Sequence, residues 1–474
     1  FEVNDMEMLM FDINRNINIP IYQQLYENIK QNIINDVMRH DEKLPSKRQL
    51  SHYLSVSQTT IEHAYQLLCD EGYIYSKNRS GFYINDIVNL PVTYKTKVPA
   101  QTNQDEISYK YSFKLGAIDK EHFPSDLFRK YAKEAFDEQQ VHLLDSGHKQ
   151  GDLNLRKEIG HYVFHSRGVN CSPQQIIVGS STEQLLSIIT DMISDSKYMI
   201  EDPLYKQVRN LLKRKHVPFE FIPVTQNGID IEQIKKTDYD VVYITPSHQF
   251  PTGVIMDLKR RTQLIKWASE KSNRFIIEDD YDSEFRYGGR PIPALQSLDN
   301  SDSVIYVSTF SKSISPSLRV AYAVLPKNLI TLYQKKTNIE GGTVPRHTQY
   351  MLSRFMNEGH FERHLNRMRK IYRTKRDHIL KQLRKYPETF AISGELTGMH
   401  FILTVTNGLT IEDCISRIKE ADIDIKPLSH YRFKKTDNKP HFVLGFGGIN
   451  TEDTEDHINA LISCLTKRKK TSSL

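Results

Sequence analysis

At 474 residues the chain is longer than one hydrophobic core usually serves, so two or three domains are expected. Hydrophobic residues make up 38% and charged residues 26%, which excludes a disordered or membrane-embedded chain, and a net charge of +6 is too modest to assign a partner. The four cysteines, Cys69, Cys171, Cys414 and Cys464, form no disulfide or metal-ligand pattern; no run approaches the roughly 18 apolar residues of a membrane helix, and the expected location is cytoplasmic.

Residues 11–85 read as a DNA-binding domain. Ile21, Leu25, Ile29, Ile33 and Val37 recur at four-residue steps and mark one face of an amphipathic helix. After Leu44-Pro45, Ser46 and Gln49 form a capping box that starts a short helix through Leu54. Ser57 then caps a longer helix whose Ile61, Ala64, Tyr65 and Leu68 share a face, which is helix-turn-helix spacing. Tyr73-Ile74-Tyr75 and Gly81-Phe82-Tyr83-Ile84 read as strands joined by the polar link Ser76 to Ser80, a hairpin wing. In this arrangement Gln58, Thr59 and Thr60 enter the major groove, with Gln58 as candidate base reader, while Lys47, Arg48, Lys77 and Arg79 meet phosphates.

Residues 86–110 lose periodicity and carry Pro91, Pro99, Lys95 and Lys97, which predicts a polar linker. In 111–474, short β-rich runs alternate with helical ones: Ile176-Ile177-Val178 leads into a helix from Thr182, Tyr198-Met199-Ile200 into one with Val208 and Leu211, and Val241 to Ile244 into one after Asp257. This predicts an α/β domain with a mainly parallel sheet, helices on both faces and functional residues at strand C-terminal ends. A long basic helical region from Arg354 to Lys385, then strands at Met399 to Val405 and His441 to Phe446, predicts a smaller α+β lobe.

Three charged groups recur in the order that pyridoxal phosphate requires. Lys312 follows the strand Val304 to Val307 within Ser308-Thr309-Phe310-Ser311-Lys312, where an amine can form a Schiff base; Asp279 ends an upstream strand and suits a pyridine nitrogen; Arg319 suits a phosphate. Gly179-Ser180-Ser181-Thr182 opens a helix after a strand and, with Ser311, makes an anion seat. Tyr205 is placed to stack on the ring and Tyr281 to donate to its phenolic oxygen. Asp280 competes with Asp279, which is favoured because it shares a face with Tyr281; Glu278 and Asp282 read as solvated or structural.

Residues 20–85 resemble a GntR-type winged helix through Leu44 to Leu50, Val56 to Ile61, Glu71-Gly72-Tyr73 and Gly81, with Gln58 where that family commonly has arginine. Residues 111–470 resemble a fold-type-I, aspartate-aminotransferase-like domain; Thr245 to Gly253 matches its Asn-Pro-Thr-Gly turn, but Phe250 stands where the asparagine belongs, and His248 or Gln249 is left to substitute. The two together resemble the MocR family. That resemblance implies a transcription regulator that holds pyridoxal 5'-phosphate on Lys312 and forms a homodimer, head-to-tail, each DNA domain against the other subunit.

The substrate-carboxylate arginines of aminotransferases and of the GABA-responsive branch are replaced here. Gln207 and His430 occupy the corresponding places, with Arg432 as a stand-in if its loop shifts by two residues. The favoured reading is therefore a regulator of operator DNA that senses pyridoxal phosphate or a small amine or amino acid, with at most partial transamination chemistry. The alternatives are an active aminotransferase with an autoregulatory DNA-binding domain, and a non-catalytic scaffold. No metal is indicated.

Overall fold

The repeat of Leu25, Ile29 and Ile33 winds into α1 (Ile21–Ile34), which buries all three. The helix stops short of Val37, which is 49% exposed; Asn35 takes the C-cap, a position suited to a side chain that competes for backbone hydrogen bonds. The Ser46 hydroxyl accepts from the Gln49 amide at 3.2 Å while Gln49 Oε1 accepts from the Ser46 N–H at 3.0 Å, and this box starts α2 (Lys47–Leu54). Ser57 caps α3 (Gln58–Asp70), which buries Ile61, Ala64, Tyr65 and Leu68. Strands β1 (Ile74–Lys77) and β2 (Gly81–Ile84) pair antiparallel, Ile74 opposite Ile84. β1 runs two residues beyond Tyr75, so the wing tip is shorter than the expected link, only Asn78-Arg79-Ser80, with Arg79 in the left-handed region at φ 60°. Glu71 closes the bundle by accepting from Tyr26 at 2.6 Å and Lys30 at 2.9 Å.

The structure, a computed structural model, describes residues 13–15, 18–35, 37–86, 109–288, 292–336, 341–434 and 439–466. Two compact units divide the chain, Phe1–Glu106 and Ile107–Leu474. The division falls in the stretch 86–110 read as a linker, of which 87–108 lie outside the described residues.

The larger unit begins with β3 (Tyr111–Ser112), α4 (Ser125–Ala135) and α5 (Leu153–Arg167). Its main sheet is built from β4 (Ile176–Gly179), α6 (Thr182–Met192), β5 (Tyr198–Asp202), α7 (Lys206–Arg214), β6 (Phe219–Thr225), β7 (Gly228–Ile229), α8 (Ile231–Lys235), β8 (Val241–Ile244), α9 (Leu258–Ser269), β9 (Phe275–Asp280), β10 (Val304–Thr309) and β11 (Ala321–Val324). The eight strands lie in the order β4-β11-β10-β9-β8-β5-β6-β7, parallel from β10 through β6. Side chains alternate between two cores, as a sheet covered on both faces requires: Ile177, Ile305, Val307 and Ala323 pack with α6 and α7, whereas Ile176, Val178, Tyr306 and Val324 pack with α5 and later helices. Gly179 and Thr309 both lie opposite Ala321, so the loops after β4 and β10 emerge at one edge.

The remainder comprises α10 (Lys327–Lys336), α11 (Arg346–Asn357), α12 (His360–Leu383), β12 (Phe390–Ser393), β13 (His400–Val405), α13 (Ile411–Glu420), β14 (Ile423–Asp424), β15 (Lys426–Pro427), β16 (His441–Gly445) and α14 (Thr454–Thr466). A small sheet, β12-β13-β16-β15, is antiparallel throughout. Lys375 of α12 pairs with Asp119 at 2.6 Å, both side chains 1% exposed, and so ties this lobe to the segment ahead of α4. Among the described residues no helix is long and apolar enough to cross a membrane.

Candidate functional site

The acidic end of β9 separates its carboxyl groups by face. Asp280 accepts from Arg167 Nε and from the Tyr306 hydroxyl, each at 2.7 Å, in a buried ion pair. Asp279 instead lines a small pocket with Thr182, Tyr205, Gln207 and Tyr243 and the apolar Leu186, Val208 and Leu211. The Tyr243 hydroxyl donates to its Oδ2, while Oδ1 is buried without a partner among the described residues. Burial pushes this carboxyl up to about 7; the Tyr243 bond opposes the rise, and Asp280 and Asp282 add to it. A buried carboxyl with one oxygen unfilled suits a charged N–H donor. Glu278 and Asp282, expected to be solvated or structural, are not solvated. Glu278 is fully buried and accepts from the Leu295 and Gln296 amides at 2.7 and 2.9 Å, and Asp282, 2% exposed, holds His248.

Lys312 stands in the turn after β10, mostly enclosed, with burial holding its ammonium below the ordinary lysine range and Asp282 opposing. Gly116, at φ 82°, gives it room, because a Cβ there would collide with Nζ. The Tyr281 hydroxyl lies 3.1 Å from His248 Nδ1. Gln249, the other candidate to replace the asparagine, donates to Glu201, to the Pro203 carbonyl at 2.9 Å and to the Phe250 carbonyl at 2.7 Å, so it is committed elsewhere. Phe250 meets Tyr205, Tyr281 and Tyr431 edge to face at 5.3–5.9 Å.

At the shared sheet edge, three donors converge on one oxygen: Ser180 N–H at 2.7 Å, Ser180 Oγ at 3.0 Å and Thr343 Oγ at 3.2 Å all reach Gln184 Oε1. This is the donor set of an anion seat, filled here by a neutral carbonyl. Ser181 caps α6 by accepting from the Gln184 amide at 3.1 Å, and Thr182 is the first residue of that helix. Thr309 Oγ accepts from the Ser311 amide at 3.1 Å and donates toward Ser311 Oγ at 2.9 Å. Arg319 is exposed, at φ 52°, and its charge acts on the Tyr205 hydroxyl. Tyr205 itself is 45% exposed, not a core ring.

Gln207 is exposed in the first turn of α7, beside the Asp279 pocket. His430 lies 3.1 Å from Lys206 Nζ, and burial, Lys206 and Lys426 lower its pKa, so the cation in that corner is Lys206. The loop carrying Arg432 is pinned to β5 by Leu204 N–H to the Tyr431 carbonyl at 3.1 Å and by the Phe433 and Lys434 amides on Asp202 at 3.0 and 2.9 Å. That pinning opposes the two-residue shift that would make Arg432 a stand-in.

In the smaller unit Arg48, Gln58, Thr59, Lys77 and Arg79 are exposed. Ser46 and Ser57 serve as helix caps, and Ser57 Oγ also lies 2.8 Å from the hydroxyls of Thr59 and Thr60. Lys47 pairs with Glu62, and Lys77 pairs with Asp41 at 3.3 Å while lying 4.3 Å over the Tyr83 ring. Sequence reasoning missed Tyr243, Arg167, Gln184 and Thr343. Tyr243 carried a signal, a hydroxyl inside an apolar strand; the others gave none, because their structural roles depend on the folded arrangement.

Residues 115–420 match the family model for aminotransferase class I and II, and residues 21–84 that for bacterial regulatory proteins of the gntR family. The chain is 39% identical to YdeL of Bacillus subtilis, described as an uncharacterized HTH-type transcriptional regulator, over 95% of this chain and 97% of that protein. It is 28% identical to MocR of Rhizobium meliloti, described as a probable rhizopine catabolism regulatory protein, over 98% of both chains. Among solved structures, LysN of Thermus thermophilus, an alpha-aminoadipate aminotransferase complexed with N-(5'-phosphopyridoxyl)-L-leucine, matches with TM-score 0.66 and 26% identity over 75% of this chain and 92% of that one.

Proposed function

Since the chain belongs to the MocR-type transcription regulators, a gntR-family domain followed by an aminotransferase class I and II domain, we propose that it carries pyridoxal 5'-phosphate on Lys312 and reports a small amine, an amino acid or the cofactor itself to operator DNA. The observation that carries this reading is Asp279: a buried carboxyl with one oxygen unpaired among the described residues, lining the pocket beside the strand that leads to Lys312. When bound, pyridoxal phosphate supplies an aldehyde that condenses reversibly with amines and a ring that withdraws electrons.

Asp279 keeps the ring nitrogen protonated, and Tyr281 donates to the ring oxygen. Ser180, Ser181, Thr182, Ser311 and Arg319 would hold the phosphate, which would compete with the Gln184 carbonyl for its three donors, and Thr309 braces Ser311. Tyr205 covers the ring. Gln207 and His430, with its neighbour Lys206, border the effector. An effector must bind two arrangements of the DNA-binding domains unequally, or it shifts nothing.

A single winged helix binds DNA nonspecifically with Kd on the order of 10⁻⁴ to 10⁻⁶ M, so useful specificity calls for two copies, and the family resemblance implies a homodimer with head-to-tail exchange of domains. Action on chromosomal DNA puts it in the cytoplasm. The test is a spectral titration of the holoprotein with amines and amino acids, alongside operator binding with and without cofactor. A band near about 420 nm that Lys312→Ala abolishes is expected. A colourless protein with full DNA affinity overturns the sensor in favour of a scaffold, and steady multiple turnover of an amino donor with a keto acid overturns it in favour of an aminotransferase.

A further inference from the structure

We infer that His248 and Asp282 are a positioning pair that turns the hydroxyl hydrogen of Tyr281 into the site, an inference that rests on the cofactor reading above. His248 Nδ1 lies 2.9 Å from both carboxylate oxygens of Asp282 and 3.1 Å from the Tyr281 hydroxyl. His248 and Asp282 are each 2% exposed, so water does not compete. An ionised carboxylate only accepts, so Nδ1 is the nitrogen that carries the hydrogen. Facing an N–H, the tyrosine oxygen is the acceptor in that contact, and its own hydrogen is left to donate elsewhere. Among the described residues the ring makes its hydrogen bonds through Nδ1 alone, since Nε2 is buried without a partner.

The seat for this pair is built. Gly398, at φ 74°, leaves the space, and a Cβ there would collide with both the His248 ring and the Asp282 carboxylate. Its backbone is fixed by its N–H on the Phe285 carbonyl at 2.8 Å and by the Tyr287 hydroxyl on its carbonyl at 2.7 Å. The other titratable groups facing the pair are His400, whose ring lies 4.7 Å from that of His248, Lys312, whose charge acts on Asp282, and Asp279, Glu284 and Tyr287, on each of which the Asp282 charge acts. His400 donates from Nε2 to the Pro251 carbonyl at 3.2 Å and is kept neutral by burial, His248 and Lys312. It therefore places no positive charge against Nδ1.

Because both oxygens of Asp282 face Nδ1, an amide at that position sets an N–H against the ring. The ring hydrogen then moves to Nε2, the one lone pair of Nδ1 accepts from the amide, and Tyr281 loses the N–H that had turned its hydrogen into the site. Asp282→Asn should thus behave like Tyr281→Phe, although it leaves the tyrosine in place.

The experiment is a pH titration of the Lys312-dependent visible band in wild-type holoprotein, Tyr281→Phe, Asp282→Asn, the double variant and His248→Gln. Loss of a donor to an anionic oxygen favours the proton-bound form, so each single variant should raise the midpoint by about one to two pH units. The double variant should shift no further than Tyr281→Phe alone. A wild-type midpoint in Asp282→Asn, or a shift that adds to that of Tyr281→Phe, overturns the inference. If Asp282→Asn does not fold, His248→Gln decides by the same criterion. A wild-type protein without any band that Lys312→Ala removes overturns the cofactor reading instead, and the inference falls with it.

Discussion

Arg167 and Asp280 form a buried ion pair at 2.7 Å, with side chains 7% and 1% exposed, directly behind the residue that lines the pocket. Arg167 also donates to the Ile292 carbonyl and to Ser247, so one guanidinium fixes the end of β9, the turn after β8 and the segment ahead of Gln296. Adjacent carboxyls on β9 therefore do different work. Asp280→Asn leaves a buried guanidinium without its counter-charge and should cost about 3–5 kcal/mol of stability. Asp279→Asn should leave the fold intact and weaken cofactor binding about ten- to hundredfold, the value of one charged hydrogen bond. Thermal unfolding and equilibrium dialysis of the two variants check this; equal unfolding temperatures would contradict the division of roles.

The cofactor-free protein should lose stability as pH rises from about 4 to about 8. Asp279 and Glu201 are pushed up to about 7 by burial, and Glu284 to about 8, from ordinary values of 3.8, 4.5 and 4.5. Between those limits the folded chain binds more protons than the unfolded one. The contribution is therefore complete below the unfolded values and is lost as each group is made to ionise in place. Each contributes on the order of 3 to 5 kcal/mol at most. Urea midpoints taken at acid and neutral pH give the slope; Asp279→Asn should reduce it, and saturating cofactor should offset the Asp279 part.

The separation of these roles shows what the sequence discloses. Periodic and local signals were legible: the Ser46–Gln49 box, the Ser57 cap and the alternation of strands with helices all appear at the expected residues. β9 and β10 are adjacent and parallel, which carries Asp279 and Lys312 to one edge. What one strand cannot disclose is which of two neighbouring acids finds a partner far away in the chain. Arg167 lies 113 residues from Asp280, and the Gln184 to Thr343 contact spans 159. Val37 erred for a different reason: its spacing fits the helix, but Asn35 ends the helix first.

Lys375 and Asp119 provide another buried pair, at 2.6 Å with both side chains 1% exposed, joining α12 to the segment before α4. The Asp119 amide donates to the Tyr372 hydroxyl at 3.1 Å, and His122 Nδ1 sits 2.9 Å from the Asp119 carboxylate. Asp119→Ala should destabilise by about 3–5 kcal/mol, and replacing both partners with apolar residues should recover most of that loss. Denaturant unfolding of the single and double variants distinguishes a charge left unpaired from a simple loss of contact.

The winged helix offers a comparison between two basic side chains on one hairpin. Lys77 is already paired with Asp41 at 3.3 Å and lies over the Tyr83 ring, so a phosphate must compete for it. Arg79, at the tip of the turn, is exposed. Arg79→Ala should therefore weaken binding to all sequences and reduce the slope of log K against log salt by about 0.9 for each contact removed, with a smaller change for Lys77→Ala. Gln58→Ala should behave otherwise: it is exposed at the start of α3, and if it reads a base edge its loss should relax preference at one base pair by about 1–3 kcal/mol and leave the salt slope unchanged. Salt titrations on operator and scrambled duplexes measure both quantities at once. An Arg79→Ala slope equal to wild type would remove the wing from the interface, and a Gln58→Ala effect equal on both duplexes would move base reading to another residue of α3.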